Sequence, residues 1–226
     1  MAVSSAWPKQ NFCPDGKTLT AGRAAQDSGR RLPMLTPNIK QPMSFSSLFQ
    51  RRRYESPART LYESIVGQSR RSEFFTSFGI PDNVPGRFDM IAIHAWLVMR
   101  RLKKSTGTDT APARALSQAL FDLMFADMDQ NLREMGVGDL SVGKKIKAMA
   151  QGFYGRVAAY DGGLEQGETV LRDALLRNLF ATGEPTPRQV SAMVHYLQDA
   201  DAALSRIDAA GLLSGQVRFP SPPALD

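Results

Sequence analysis

Apolar residues in this chain return every three or four positions and almost nowhere every second one, a pattern that predicts helices and no sheet. Phe121, Met124, Phe125, Met128, Leu132 and Met135 share one face of a helix that starts after Pro112. Ile146, Met149, Ala150, Phe153, Val157 and Tyr160 repeat the arrangement on a helix expected to begin near Ser141. Another such face runs through Val190, Met193, Val194, Leu197, Leu204 and Ile207. Thr186-Pro187-Arg188-Gln189 opens it, with threonine and glutamine at capping-box spacing and proline in the first turn. A shorter helix covers "ETVLRDALLRNLF" just before. "MIAIHAWLVM", Met90 to Met99, is apolar on every side and lies in a helix from Arg87 to about Lys104. A helix of that kind must be buried all round. Ser56 and Pro57 offer an N-cap and a first-turn proline for "ARTLYESIVGQSRR", which runs towards "EFFTSFG" before the stop signal "GIPDNVPG". The expected fold is all-α: a compact bundle of about six to seven helices with a disordered N-terminal segment.

The periodicity also divides the chain. Residues 1–43 lack it and read as a disordered basic segment. Two other readings stand beside that one. A mitochondrial transit peptide would suit the excess of Arg and Lys over Asp15 and Asp27, although no amphipathic helix runs through "PDGKTLTAGRAA". Alternatively, translation starts at Met43. Residues 44–213 are the expected helical domain, and 214–226 a Pro-rich C-terminal tail.

Composition narrows the chemistry. At 226 residues and 42% hydrophobic, the chain can build a substantial core of its own. A lone cysteine, Cys13, excludes an intramolecular disulfide, and His94 and His195 are too few for a histidine metal cluster. Nothing in the pattern asks for a cofactor. The longest apolar run is about half of the roughly 20 residues that a membrane-spanning helix needs, and no secretory signal is read before it. A net charge of +6 and a pI near 9.7 favour anionic neighbours: nucleic acid, anionic lipid or an acidic protein. The basic residues gather at helix ends rather than along one recognition helix, which argues against specific nucleic-acid binding.

Gly138, Gly143 and Lys144 stand at the G-x-x-x-x-G-K spacing of a phosphate-binding loop. Such a loop needs a strand before it and Ser or Thr after the lysine. Here a helical segment precedes and Lys145 follows, so no nucleotide is expected. The stretch reads instead as a corner between helices, with Gly136 closing one and Ser141 or Asp139 capping the next. Asp122, Asp129 and Arg133 fall within about 40° of arc. Without Glu-x-x-His motifs they read as ion-pair partners, not as a catalytic or di-metal set.

Lys144, Lys145 and Lys147 fan away from Ile146 and are expected to face solvent; with Asp139 they are candidate partner-binding residues. Ala148, Gly152, Gly155 and Ala159 line up on the same helix. Close packing between two helices of the domain is the first reading of that stripe. A landing strip for a partner's helix is the second, and it makes Gly152 and Gly155 candidates as well. His94 reads as a hydrogen-bonded core residue. Trp96, Phe121, Met124, Phe125, Met128 and Phe153 are the candidate lining of an apolar pocket between helices.

Several of these stretches carry a family resemblance. "LYESIVGQSR", "FFTSFGIPDNVPGRFDMIAIHAWLVMRRLK", "ALFDLMFADMDQNLREMGVGDLSVGKKIKAMAQGFYGR" and "AAYDGGL" resemble the ubiquinol–cytochrome c chaperone family, with "DMDQNLREMGVGDLSVGKK" the most specific block. The resemblance runs from about Leu61 to Leu164 and more loosely to the last helix. It implies an all-α, non-enzymatic assembly factor for respiratory complex III whose client is newly made cytochrome b. The mitochondrial members also act with a small partner protein and near the ribosome, so ribosome contact joins an anionic membrane surface as an expected association. The implied location is cytoplasmic and peripheral at the inner membrane, or the mitochondrial matrix for a eukaryotic source. The competing function is a carrier or sensor of an apolar small molecule, such as a lipid or quinone, held in the apolar pocket.

One consequence is directly measurable. Calorimetry with ATP or GTP should show no binding, and a micromolar affinity abolished by Lys144→Ala would contradict this reading of the corner.

Overall fold

The periodic segments fold into helices packed around one that is buried on opposite faces. The structure, a computed structural model, describes residues 45–105 and 111–225, with side chains from residue 53 onward. The three readings of residues 1–43 therefore lie outside the described residues. Among the latter, the order is α1 (Phe45–Ser69), α2 (Glu73–Thr76), α3 (Val84–Ser105), α4 (Ala111–Glu134), α5 (Asp139–Gln166), α6 (Glu168–Asn178), α7 (Pro187–Ser205) and α8 (Ala209–Leu213), with no strand. The all-α expectation holds. Six long helices make the bundle, and α2 and α8 add about one turn each.

α3 is the axis. Met90, Ile93, Trp96 and Leu97 enter one apolar cluster with α2, α6, α7 and Tyr160 of α5. Phe88, Ile91, Ala92, Ala95, Val98 and Leu102 enter a second one with α1, α4 and Phe153 of α5. At 100° per residue these two sets point about 170° apart, so α3 is a wall shared by two half-cores. Its sequence, apolar all round, permits nothing else.

The start of α1 corrects the sequence reading. Ser56 and Pro57 do not open this helix, which continues through Pro57 from Phe45. An interior proline removes one backbone hydrogen bond and crowds the preceding turn, at roughly 3 kcal/mol. Packing on both sides offsets this: Tyr54 and Ala58 are buried in the second cluster, and the backbone of Gly215 lies against Pro57.

The expected capping box of α7 is present. Thr186 Oγ1 accepts from Gln189 N–H at 3.3 Å, and Gln189 Oε1 accepts from Thr186 N–H at 2.9 Å. Gln189 Nε2 also donates to Ser77 O at 3.0 Å, fastening the start of α7 to the end of α2. At the other end of α7, Arg101 donates to the carbonyls of Leu204 and Ile207, a cation satisfying helix-terminal acceptors. The last segment, 214–225, runs back over the bundle. Phe219 packs its ring edge-on to His94 at 5.1 Å, and Pro220 O accepts from Gln68 Nε2 at 2.8 Å.

Two glycines of α5 make the packing testable. A Cβ on Gly163 would stand 2.7 Å from Leu171 Cα, because α6 folds back tightly on α5. On Gly155 a Cβ would meet nothing within 4 Å. Gly163→Ala should therefore destabilise by about 1–3 kcal/mol through overpacking. Gly155→Ala should stabilise by about 0.5–1 kcal/mol through helix propensity. Urea unfolding of both variants checks the contrast.

Candidate functional site

Gly136 closes α4 with φ +82°, a left-handed conformation that glycine adopts without penalty. Its N–H donates to Arg133 O and the Val137 N–H to Leu132 O, the paired bonds of a glycine C-terminal turn. The start of α5 differs from expectation. Its N-cap is Gly138, with no side-chain cap, and neither Ser141 nor Asp139 fills that role. Asp139 is already the first helical residue, and its carboxylate is taken by Arg133 across the corner. Arg133 also holds Asp129 at 2.5 Å, the i, i+4 pair read from sequence, whereas Asp122 accepts from Gln118 Nε2 at 2.8 Å.

α5 presents two unlike faces. Val142, Phe153 and Tyr160 are buried, and Ile146, Met149, Ala150 and Val157 are half-buried beside them. On the opposite side Leu140, Lys144, Lys147, Ala148, Gln151, Gly155 and Ala158 are exposed. The small-residue stripe is thus not packed between two helices of the domain: Ala148 and Gly155 face solvent, and Gly152 and Ala159 are half-buried. Lys145 departs from the expected fan as well. At 100° per residue it falls on the flank of Met149 and Gly152, where it is half-buried. Lys144 and Lys147 are exposed, as expected.

The strongest departure from a water-adapted surface is apolar. Leu140 is 99% exposed, Met135 51% and Tyr154 38%. All three belong to the α4–α5 corner or the outer edge of α5. Tyr154 stacks on Phe121 at 5.5 Å. Sequence periodicity missed Leu140, because a single leucine off the apolar stripe carries no signal until its neighbours are placed.

The apolar candidates are distributed as follows. Phe121, Phe125 and Phe153 are in ring contact with one another, at 4.5 to 6.2 Å, and Met124 and Met128 pack in the same cluster. Trp96 belongs to the other cluster, against Tyr160 at 5.2 Å. The structure therefore brings five of the six together and separates the sixth across α3. A cleft of about 530 Å³ lies elsewhere, between α1 and the segment after α8, and is lined by Thr60, Ser64, Arg206 and Arg218 among others.

Inside, polar side chains are tied up in structure. The His94 ring nitrogens meet Met90 O at 2.7 Å and Tyr196 Oη at 2.7 Å. Nδ1–H donating to the carbonyl leaves Nε2 to accept from the tyrosine hydroxyl, which in turn accepts from Gln68 Nε2 at 2.9 Å. Ser69 Oγ lies 3.1 Å from Nδ1 and donates to Ile65 O at 2.7 Å. This serine–histidine pair is 0–1% exposed, out of reach of any substrate. Burial pushes His94 down to about 4, against its bond to Met90 O. Along another edge of α3, Asp89 pairs with Arg156 at 2.9 Å, Trp96 Nε1–H donates to Asp161 at 2.9 Å, and Arg100 reaches Asp161 at 2.6 Å and Asp201 at 3.3 Å. Burial raises Asp89 to about 7, with Arg156 opposing.

These two shifts give stability slopes of opposite sign. His94 binds its proton more weakly when folded, so its contribution is complete above about pH 6.5 and is lost as pH falls towards 4. Asp89 binds its proton more tightly when folded, so its contribution is complete below about 3.8 and is lost as pH rises through 7. They offset each other between pH 4 and 6.5. Asp89→Asn should unmask the histidine, making stability fall on acidification by on the order of 3 kcal/mol more than in the parent. Urea unfolding from pH 7 to pH 4 measures it.

Comparison with known proteins adds relationship to this geometry. The ubiquinol-cytochrome C chaperone family matches residues 76–219, from the end of α2 into the segment after α8. Ubiquinol-cytochrome c reductase complex assembly factor 1 of Mus musculus is 28% identical over 160 residues, covering 70% of this chain and 53% of that protein. The Xenopus laevis protein of the same name is 25% identical over 158 residues, covering 70% and 77%. The chain thus spans about half of the mouse relative's length and three quarters of the frog one's. The crystal structure of the Cbp3 homolog from Brucella abortus superposes with a TM-score of 0.67 at 31% identity, over 81% of this chain and 100% of that one. By a match that takes in more than half its length and all of α3 to α8, this chain belongs to the ubiquinol-cytochrome C chaperone family.

Proposed function

We propose that this protein is a non-enzymatic chaperone that binds newly made cytochrome b and promotes assembly of ubiquinol–cytochrome c reductase. The observation that carries the reading is the family match over residues 76–219, which takes in α3 to α8 and the α4–α5 corner rather than a single motif. The names of the relatives describe assembly factors for that complex. The interior agrees in its chemistry: His94, Ser69, Asp89 and Arg100 spend their polar groups on neighbouring helices, at 0–8% exposure. Holding a client requires a stable scaffold with an unsatisfied outer surface, and the exposed side of α5 provides one.

The client is a membrane protein, so the chaperone works at the membrane that receives it. No helix among the described residues is long and apolar enough to cross a bilayer, and the described bundle would meet that membrane from its surface. The corresponding location is the cytoplasmic face of a bacterial inner membrane, or the matrix face in a mitochondrion.

Tagged protein recovered from detergent-solubilised membranes should bring cytochrome b with it. Deleting the gene should lower the membrane haem b signal, and the intact chain should restore it. Normal haem b spectra in the deletion strain would overturn the proposal.

A further inference from the structure

The α4–α5 corner carries a feature that holding a protein client does not by itself explain. Leu140 stands 99% exposed in the first turn of α5, with Met135 51% exposed across the turn. Leu140, Lys144 and Lys147 fall within about 60° of arc on one side of the helix. From residue 140 to 158 the exposed positions of α5 include Lys144 and Lys147 and no carboxylate. Just before this face, Arg133 pairs with both Asp129 and Asp139, and Glu134 accepts from Gln130 at 2.9 Å, so the carboxylates end where α5 begins. From residue 140 onward the outer face of α5 is therefore cationic, with Leu140 at its leading end.

We infer that this corner docks on an anionic lipid bilayer, with Leu140 and Met135 entering the acyl boundary and Lys144 and Lys147 resting on the headgroups. A leucine at the tip can enter the acyl boundary while long lysine side chains one and two turns behind it, on the same side, stay at the headgroup level. The alternative occupant, an acidic protein segment, fits less well. Apolar anchors of protein interfaces sit in pockets ringed by other contacts. A leucine at 99% exposure has no wall around it and projects from a convex turn, a shape suited to a deformable lipid surface. The flanking small residues, Gly143, Ala148 and Gly155, keep this side of α5 low, so that nothing holds the lysines off a flat surface.

The inference goes beyond the assembly role, and purified protein tests it without complex III. The full chain is mixed with vesicles of phosphatidylglycerol and phosphatidylcholine in equal parts, or of phosphatidylcholine alone, and binding is read by co-sedimentation. Binding should be confined to the anionic vesicles and weaken as salt is raised. Lys144→Glu/Lys147→Glu should weaken it at least tenfold, since each basic residue near a charged membrane contributes a factor of about five. Leu140→Ser should weaken it about tenfold, through loss of one buried aliphatic side chain. These positions are exposed, so melting temperatures should match the parent; should the glutamates perturb folding, Lys144→Gln/Lys147→Gln gives the same reading at smaller amplitude. Equal binding by parent and variants would overturn the inference, as would no binding to anionic vesicles. The latter, combined with loss of complex III in cells carrying Leu140→Ser, would assign the corner to a protein partner instead.

Discussion

Everything in this bundle depends on α3 having no solvent side. A helix with apolar clusters about 170° apart has only narrow flanks on which to place polar groups, and those flanks are covered as well. His94, Asp89 and Arg100 therefore lie where an unpaired polar group is costly. Each is answered by a different neighbour: His94 by Tyr196 of α7 and Ser69 of α1, Asp89 by Arg156 of α5, Arg100 by Asp161 of α5 and Asp201 of α7. Apolar contact alone tolerates sliding. These directional contacts give α3 one rotation and one depth, and so fix the helices around it.

The same constraint separates stability from recognition. Polar side chains that in another fold would suggest catalysis are consumed inside, where their hydrogen bonds orient helices. α5 shows the division within a single element. Its inner side supplies Phe153 to one half-core, Tyr160 to the other, and Arg156 and Asp161 to the flank of α3. Its outer side carries small residues, two free-standing lysines and Leu140. α5 is thus packed on one side and unpartnered on the other.

Much of this was legible in the sequence, for identifiable reasons. Helical periodicity in Phe121–Leu132 and Ile146–Tyr160 marks which side of α4 and α5 is buried, because a face that recurs every 3.6 residues can serve only one core; Met135, the last position of the first pattern, instead lies past the end of α4 and is exposed. The Thr186–Gln189 cap is local chemistry, complete within four residues, and it formed as read. The glycine turn at Gly136 is equally local. Proximity in sequence is sufficient for such features.

Other features depend on which helix lies beside which, and no local pattern holds that information. Pro57 reads as a helix start until Tyr54, Ala58 and Gly215 are seen to hold the turns around it. The stripe through Gly152 and Gly155 reads as an internal contact until no neighbour is found against Gly155. Trp96 shares its composition with the phenylalanines of α4, yet the other face of α3 claims it. The sequence by itself determined the helices, their buried faces and the family. Tertiary structure decided the partners of the buried polar groups and which residues were left unpartnered outside, because both follow from contacts between residues more than a hundred positions apart.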